Sequence, residues 1–111
     1  MPEGVTQIMK AKEYLIFLGN EARKRHRHKT SKGRVVAFMV QLEIQHEGVW
    51  KPALRYDSAH GFSHVDRYNV AGEQRKESLN LTFDDALTFA DVDINDNWEE
   101  YKNRFLEGRF P

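Results

Sequence analysis

The chain has 111 residues, 40% hydrophobic and 31% charged, with no cysteine and equal numbers of acidic and basic side chains. That length fits one domain that buries about two-thirds of its surface, and the composition is too apolar for a wholly disordered chain. The missing cysteines exclude disulfides and thiolate metal sites, and the longest apolar run, YLIFL, falls far short of the ~20 residues that span a membrane.

The N-terminal stretch holds no sustained apolar core behind a basic start, so no signal peptide is read and a cytoplasmic protein is expected. The zero net charge hides an asymmetry. Residues 1–36 carry nine Lys/Arg against three Asp/Glu, and residues 37–111 carry eight against fourteen. A basic front and an acidic remainder point to self-complementarity or to a nucleic-acid contact through the front.

In chain order, residues 5–28 read as a helix. Ile8, Ala11, Leu15, Leu18 and Ala22 recur at spacings of three and four, and Tyr14, Ile16 and Phe17 widen the face. Gly19 is unfavourable inside such a helix. The surplus apolar face at Tyr14–Leu18 suits a partner or a second copy, so a homodimer is expected. The basic run RKRHRHK follows, and Thr30, Ser31 and Gly33 mark a connection.

From residue 34 the period changes to two. Val36, Phe38, Val40, Leu42 and Ile44 alternate with Ala37, Met39, Gln41, Glu43 and Gln45, which predicts a strand over 34–46. Glu47-Gly48 signals a turn, and 49–57 predicts a second strand in which Pro52 requires an edge or a bulge. A third strand at 63–70, a turn at Ala71-Gly72 and a fourth strand at 74–81 complete a meander. Thr82 then caps a helix over 83–107, with Asp85 three residues on and Asp84 suited to the positive helix end. The expected fold class is α+β, one domain over 1–111: an N-terminal helix, a four-stranded antiparallel sheet and a long C-terminal helix packed on it. Val36, Phe38, Val40, Leu42, Leu54, Phe89, Ile94, Trp98 and Tyr101 are the expected core.

The segment RYDSAHGFSHVD, residues 55–66, gathers two histidines, two aspartates, an arginine and a tyrosine. Three readings stand open. As metal ligands, Asp57, His60, His64 and Asp66 offer imidazole and carboxylate donors, and His64 and Asp66 share a face of an extended chain. No metalloprotein spacing matches, so no metal or cofactor is assigned. As acid–base machinery for RNA, His60 and His64 exchange protons, Asp57 orients a ring and Arg55 holds phosphate. As a plain sheet, the polar residues are its wet face and pair weakly at the surface. Arg23, Lys24, Arg25, Arg27 and Lys29, with Arg67, form a candidate nucleic-acid strip. The run also suits the solvated end of a helix. Glycine-rich phosphate loops are absent, which argues against nucleotide hydrolysis.

LRYDSAHGFSHVDRYN followed by FDDALTFADVDINDNWEEYKNRF resembles a small uncharacterised prokaryotic family with an R-Y-D-x-A-H-G-F-x-H-x-D segment and a long tryptophan-bearing C-terminal helix. More loosely, Arg55, Tyr56, Asp57, Ala59 and His60 are similar to the R-Y-D-N-A-x-H-H segment of TumE-type toxin components of toxin–antitoxin pairs, while Gly61, Phe62 and Ser63 widen the gap between the histidines. The first resemblance implies a strand-rich fold with a C-terminal helix. The second implies a toxin-like or RNA-processing protein, with an antitoxin chain and RNA as partners.

Overall fold

The computed structural model describes residues 9–111. Over them the chain runs β1 (Met9–Gly19), β2 (Ala22–Ser31), β3 (Arg34–His46), β4 (Val49–Asp57), a single 3-10 turn (Ala59–Gly61), β5 (His64–Tyr68), β6 (Gln74–Ser78) and α1 (Phe83–Leu106). The strands form one six-stranded antiparallel meander, each paired with its sequence neighbours. The helix lies on one face, chiefly over β3 and β4. No helix among the described residues is long and apolar enough to cross a membrane.

The expected N-terminal helix is therefore corrected. Residues 9–28 form β1 and most of β2, joined by a turn at Asn20-Glu21, and the sheet has six strands rather than four. Residues 5–8 lie outside the described residues. The physical reason is tertiary. Ala22, Lys24 and His26 are buried beneath α1, while Arg23 and Arg25 between them face the other way, the period of two that a strand requires. Gly19 is no flaw in a helix: a Cβ there would lie 2.9 Å from the Trp98 ring. Tyr14–Phe17 sit exposed on the edge strand β1, not on a helical stripe.

Turn chemistry fixes the register of the next two hairpins. Lys32-Gly33 and Glu47-Gly48 both have positive φ at each residue, the backbone of a two-residue hairpin whose twist matches its strands. The register shifts between Leu42 and Glu43, opposite Pro52–Leu54. Pro52 is thus accommodated at a bulge, and Ala53 and Leu54 are both buried.

The core is Phe38, Val40, Leu42 and Ile44 of β3, Leu54 and Tyr56 of β4 and Val65 of β5, closed by Ala86, Ala90, Ile94 and Phe105 of α1. Trp98 and Tyr101 pack against it, partly buried. Val36 and Phe89, expected inside, are 38% and 48% exposed. Val36 precedes the first residue of β3 that pairs with β4, and Phe89 lies at the rim, edge-on to Tyr56. Helix α1 begins as expected, with the Thr82 hydroxyl accepting from the Asp85 amide at 3.2 Å.

Two polar clamps lock helix to sheet. Asp93 accepts hydrogen bonds from Tyr56 Oη (2.5 Å), Tyr101 Oη (2.7 Å) and Asn97 Nδ2 (2.9 Å). Burial and this carboxylate raise the pKa of both phenols, that of Tyr101 to about 12. Lys24 Nζ donates to Asp91 Oδ1 at 3.0 Å and Asn95 Oδ1 at 2.9 Å. His26 beside it stacks on Tyr14, and burial lowers its pKa against the pull of Asp91.

Ile94 is fully buried and Val92, on the same helix, is 53% exposed. Ile94→Ala is expected to lose about 2–5 kcal/mol and Val92→Ala less than about 0.5 kcal/mol. Urea unfolding midpoints of the two variants check this.

Candidate functional site

The face opposite α1 is built by strand alternation and in-register pairing. One row of residues crosses all six strands as Glu13, Arg27, Met39, Asp57, His64 and Ser78. The next row reads Leu15, Arg25, Gln41, Arg55, Asp66 and Lys76. Phe17, Arg23 and Glu43 begin a third row that the bulge interrupts. A helix covers only the other face, so side chains here must neutralise and shield one another.

They do so around Glu43, a carboxylate only 5% exposed. It accepts from Arg23 Nε at 2.5 Å, Arg25 Nε at 2.9 Å and Gln41 Nε2 at 2.6 Å. Burial pushes its pKa up, but these hydrogen bonds and the Arg25 charge outweigh it and hold the group below its ordinary value. The guanidinium of Arg23 lies 4.1 Å from the Trp50 ring centroid, and Phe17 meets that indole edge-on. The network continues as Arg55 Nε donates to Gln41 Oε1 at 2.6 Å.

Beside this network lies a cavity of about 730 Å³, lined among others by Glu13, Arg25, Arg27, Lys29, Met39, Arg55 and Asp57. Arg27 and Lys29 are exposed and make no ion pair among the described residues. At the far wall, Asp57 Oδ1 lies 2.7 Å from His64 Nε2 and accepts from the Ala59 amide at 3.0 Å. His64 is 1% exposed, with Nδ1 3.3 Å from the Phe62 carbonyl oxygen. Asp66 Oδ2 is 3.6 Å from the same Nε2.

The sequence-predicted residues therefore divide. Arg55, Asp57, His64 and Asp66 share the open face, as parity and register require. His60 shares it only by proximity. It sits exposed in the 3-10 turn at φ 68°, its ring centroid 6.2 Å from that of His64. The two imidazoles do not stand side by side toward one substrate: one is exposed, and the other is buried with both nitrogens facing acceptor oxygens. Of the basic strip, Arg23, Arg25, Arg27 and Lys29 belong to the open face. Lys24 is buried against α1, and Arg67 faces the helix side, donating to Glu77 Oε1 and the Pro111 carbonyl oxygen.

Gln41 and Glu43 were missed as site residues, because their strand reads as core. The available signal was their parity, opposite to Val40 and Leu42. A second signal lay in the basic run itself, where Arg23, Arg25, Arg27 and Lys29 alternate with Lys24, His26 and His28.

The chain belongs to the DUF7718 family, a domain of unknown function that matches residues 9–111. Comparison with curated proteins and with solved structures found no match.

Glu43 generates a pH prediction. Its pKa is lowered on folding, so the unfolded chain binds the proton more readily. The stability it contributes is fully present above its ordinary value of 4.5 and is lost as pH falls through the folded value. Glu43→Gln is expected to cost about 1–3 kcal/mol at neutral pH by removing the charge on which two partly exposed arginines close. It is also expected to flatten the acid limb of stability, read from urea unfolding between pH 3 and pH 7 (roughly the carboxylate titration range).

Proposed function

We propose that the open face of the sheet binds a phosphate-bearing polymer, single-stranded RNA. The observation that carries this reading is the cavity of about 730 Å³ with Arg25, Arg27, Lys29 and Arg55 on its wall. Arg25 is held by Glu43, and Arg55 by Gln41. Their guanidinium groups are thus oriented before any ligand arrives, which lowers the ordering cost of binding. Arg27 and Lys29 add exposed charge that releases counterions from a polyanion. Phe17, 64% exposed on this face and edge-on to Trp50, offers a ring on which an unpaired base stacks, so the form of polymer proposed is a single strand.

An RNA-processing role for the same face draws on Asp57 at the cavity wall and on His64, buried behind it. A toxin-like role draws on the likeness of Arg55, Tyr56, Asp57, Ala59 and His60 alone, and adds an antitoxin chain competing for this surface. The geometry favours binding over a two-histidine proton exchange, because only His60 is open to solvent.

The test is retention of a fluorescent oligouridylate, with affinity measured across a salt series. Each phosphate contact contributes about −0.7 to the slope of log affinity against log salt for a single strand. The double variant Arg27→Gln, Lys29→Gln is expected to reduce the slope magnitude by about 1.4. Arg109→Gln, beyond the end of α1 and paired to Glu107, leaves it unchanged. Absence of salt-sensitive retention by the wild-type chain, or an unaltered slope in the double variant, contradicts the reading.

A further inference from the structure

We propose that Asp57, His64 and Asp66 form a binding site for one divalent first-row cation that takes mixed oxygen and nitrogen donors, Mn²⁺ or Zn²⁺. This inference is independent of the polymer reading, because ion binding is measured without RNA.

The donors come from two paired strands rather than from a loop. Asp57 closes β4 directly opposite His64, and Asp66 follows two residues on, on the same face. Their ligand atoms all lie within 4.8 Å of one another. Donor atoms around an ion with ~2.1 Å bonds stand roughly 3.0–3.4 Å apart. The observed 2.7 Å from His64 Nε2 to Asp57 Oδ1 and 3.6 Å to Asp66 Oδ2 bracket that range.

Three further features point to an ion. The first is the orientation of His64. Its Nδ1 faces the Phe62 carbonyl oxygen at 3.3 Å, the kind of outer contact that fixes a metal-binding imidazole and leaves Nε2 to the cation. The second is the support of Asp57, whose Oδ1 also accepts from the Ala59 amide, as ligating carboxylates commonly do.

The third is Asp66. Its side chain is 5% exposed, and its Oδ1 is buried with no hydrogen-bond partner. The nearest cation, Lys76 Nζ, stands 3.8 Å from it, and that side chain is 46% exposed. A buried carboxylate oxygen without a donor calls for a positive neighbour. Asp66 Oδ2, 3.6 Å from His64 Nε2, turns the same carboxylate toward the other two donors. A cation drawn among the three groups neutralises both carboxylates.

Two carboxylates with one imidazole and no thiolate suit Mn²⁺ and Zn²⁺ better than softer ions. Asp57 also lines the cavity, so coordination positions not taken by protein face the space where a ligand oxygen or water arrives. His60, exposed on the adjoining turn, is not among the three converging groups.

The experiment uses the full chain, stripped with EDTA and dialysed. Calorimetric titration with MnCl₂ and with ZnCl₂ is accompanied by electron paramagnetic resonance of bound Mn²⁺. The expected result is saturable binding of one ion per chain. Asp57→Asn and Asp66→Asn are each expected to weaken it by more than the ~10–100-fold that outer contacts command. Glu77→Gln, on the exposed strand β6, leaves it unchanged. Circular dichroism establishes that each variant is folded. Should Asp66→Asn fail to fold, Asp57→Asn, at the cavity wall, carries the test. The inference is overturned if the wild-type chain binds neither ion saturably, or if folded Asp57→Asn binds as tightly as wild type.

Discussion

Strand β3 carries two opposite duties, and the architecture follows from how they are reconciled. Phe38, Val40, Leu42 and Ile44 on one side supply the core. Gln41 and Glu43 on the other side are equally buried, yet no helix covers them. A carboxylate buried on an uncovered face is tolerable only if it is paired and fully hydrogen-bonded. Glu43 meets that condition through Arg23, Arg25 and Gln41. The same contacts fix Arg25 at the cavity wall, and Gln41 in turn fixes Arg55. Arg25 at the cavity wall is therefore placed by the neutralising of one buried acid, while Arg27 and Lys29 add charge of their own.

The helix side supplies the rigidity this arrangement needs. Asp93 ties Tyr56 of β4 to Tyr101 and Asn97 of α1, and Asp91 with Asn95 ties Lys24 of β2. Both flanking partners of β3 are thereby held to the helix, so the rows on the opposite face keep their register. Phe105 and the segment beyond it complete the packing: the Val70 amide donates to the Phe105 carbonyl oxygen, and Asn69 Nδ2 to that of Gly108. The β5 end of the open face is anchored by the chain that leaves α1.

Much of this was legible in the sequence, and the failures have physical causes. β3, β4 and α1 announced themselves through clean alternation, a Glu-Gly turn and a capped helical stripe. β1 and β2 did not. Edge strand β1 carries apolar residues on both faces, so Tyr14–Leu18 shows no period of two, and chance spacings of three and four imitate a helix. In β2 the buried positions after Ala22 are Lys24, paired with Asp91 and Asn95, and His26, whose Nε2 meets His28 Nδ1 at 2.7 Å. Hydropathy cannot register such a strand, because its burial depends on partners about 70 residues away. Within the site, parity placed His64 and Asp66 on one face, and the β4–β5 register, which the sequence does not show, sets Arg55 and Asp57 beside them. His60 has the parity of His64, but a turn with positive φ takes it out of the strand.

The surface proposed to bind RNA is the open face of the sheet, not the helix face. The most direct test is an amide chemical-shift titration of the isotopically labelled chain with a single-stranded oligoribonucleotide at low salt. Salt-reversible shifts are expected at Arg25, Arg27, Lys29, Arg55 and Ala59, with the exposed helix residues Phe89, Val92 and Asp96 unmoved. Shifts confined to α1, or no shifts on the open face, would contradict the proposal.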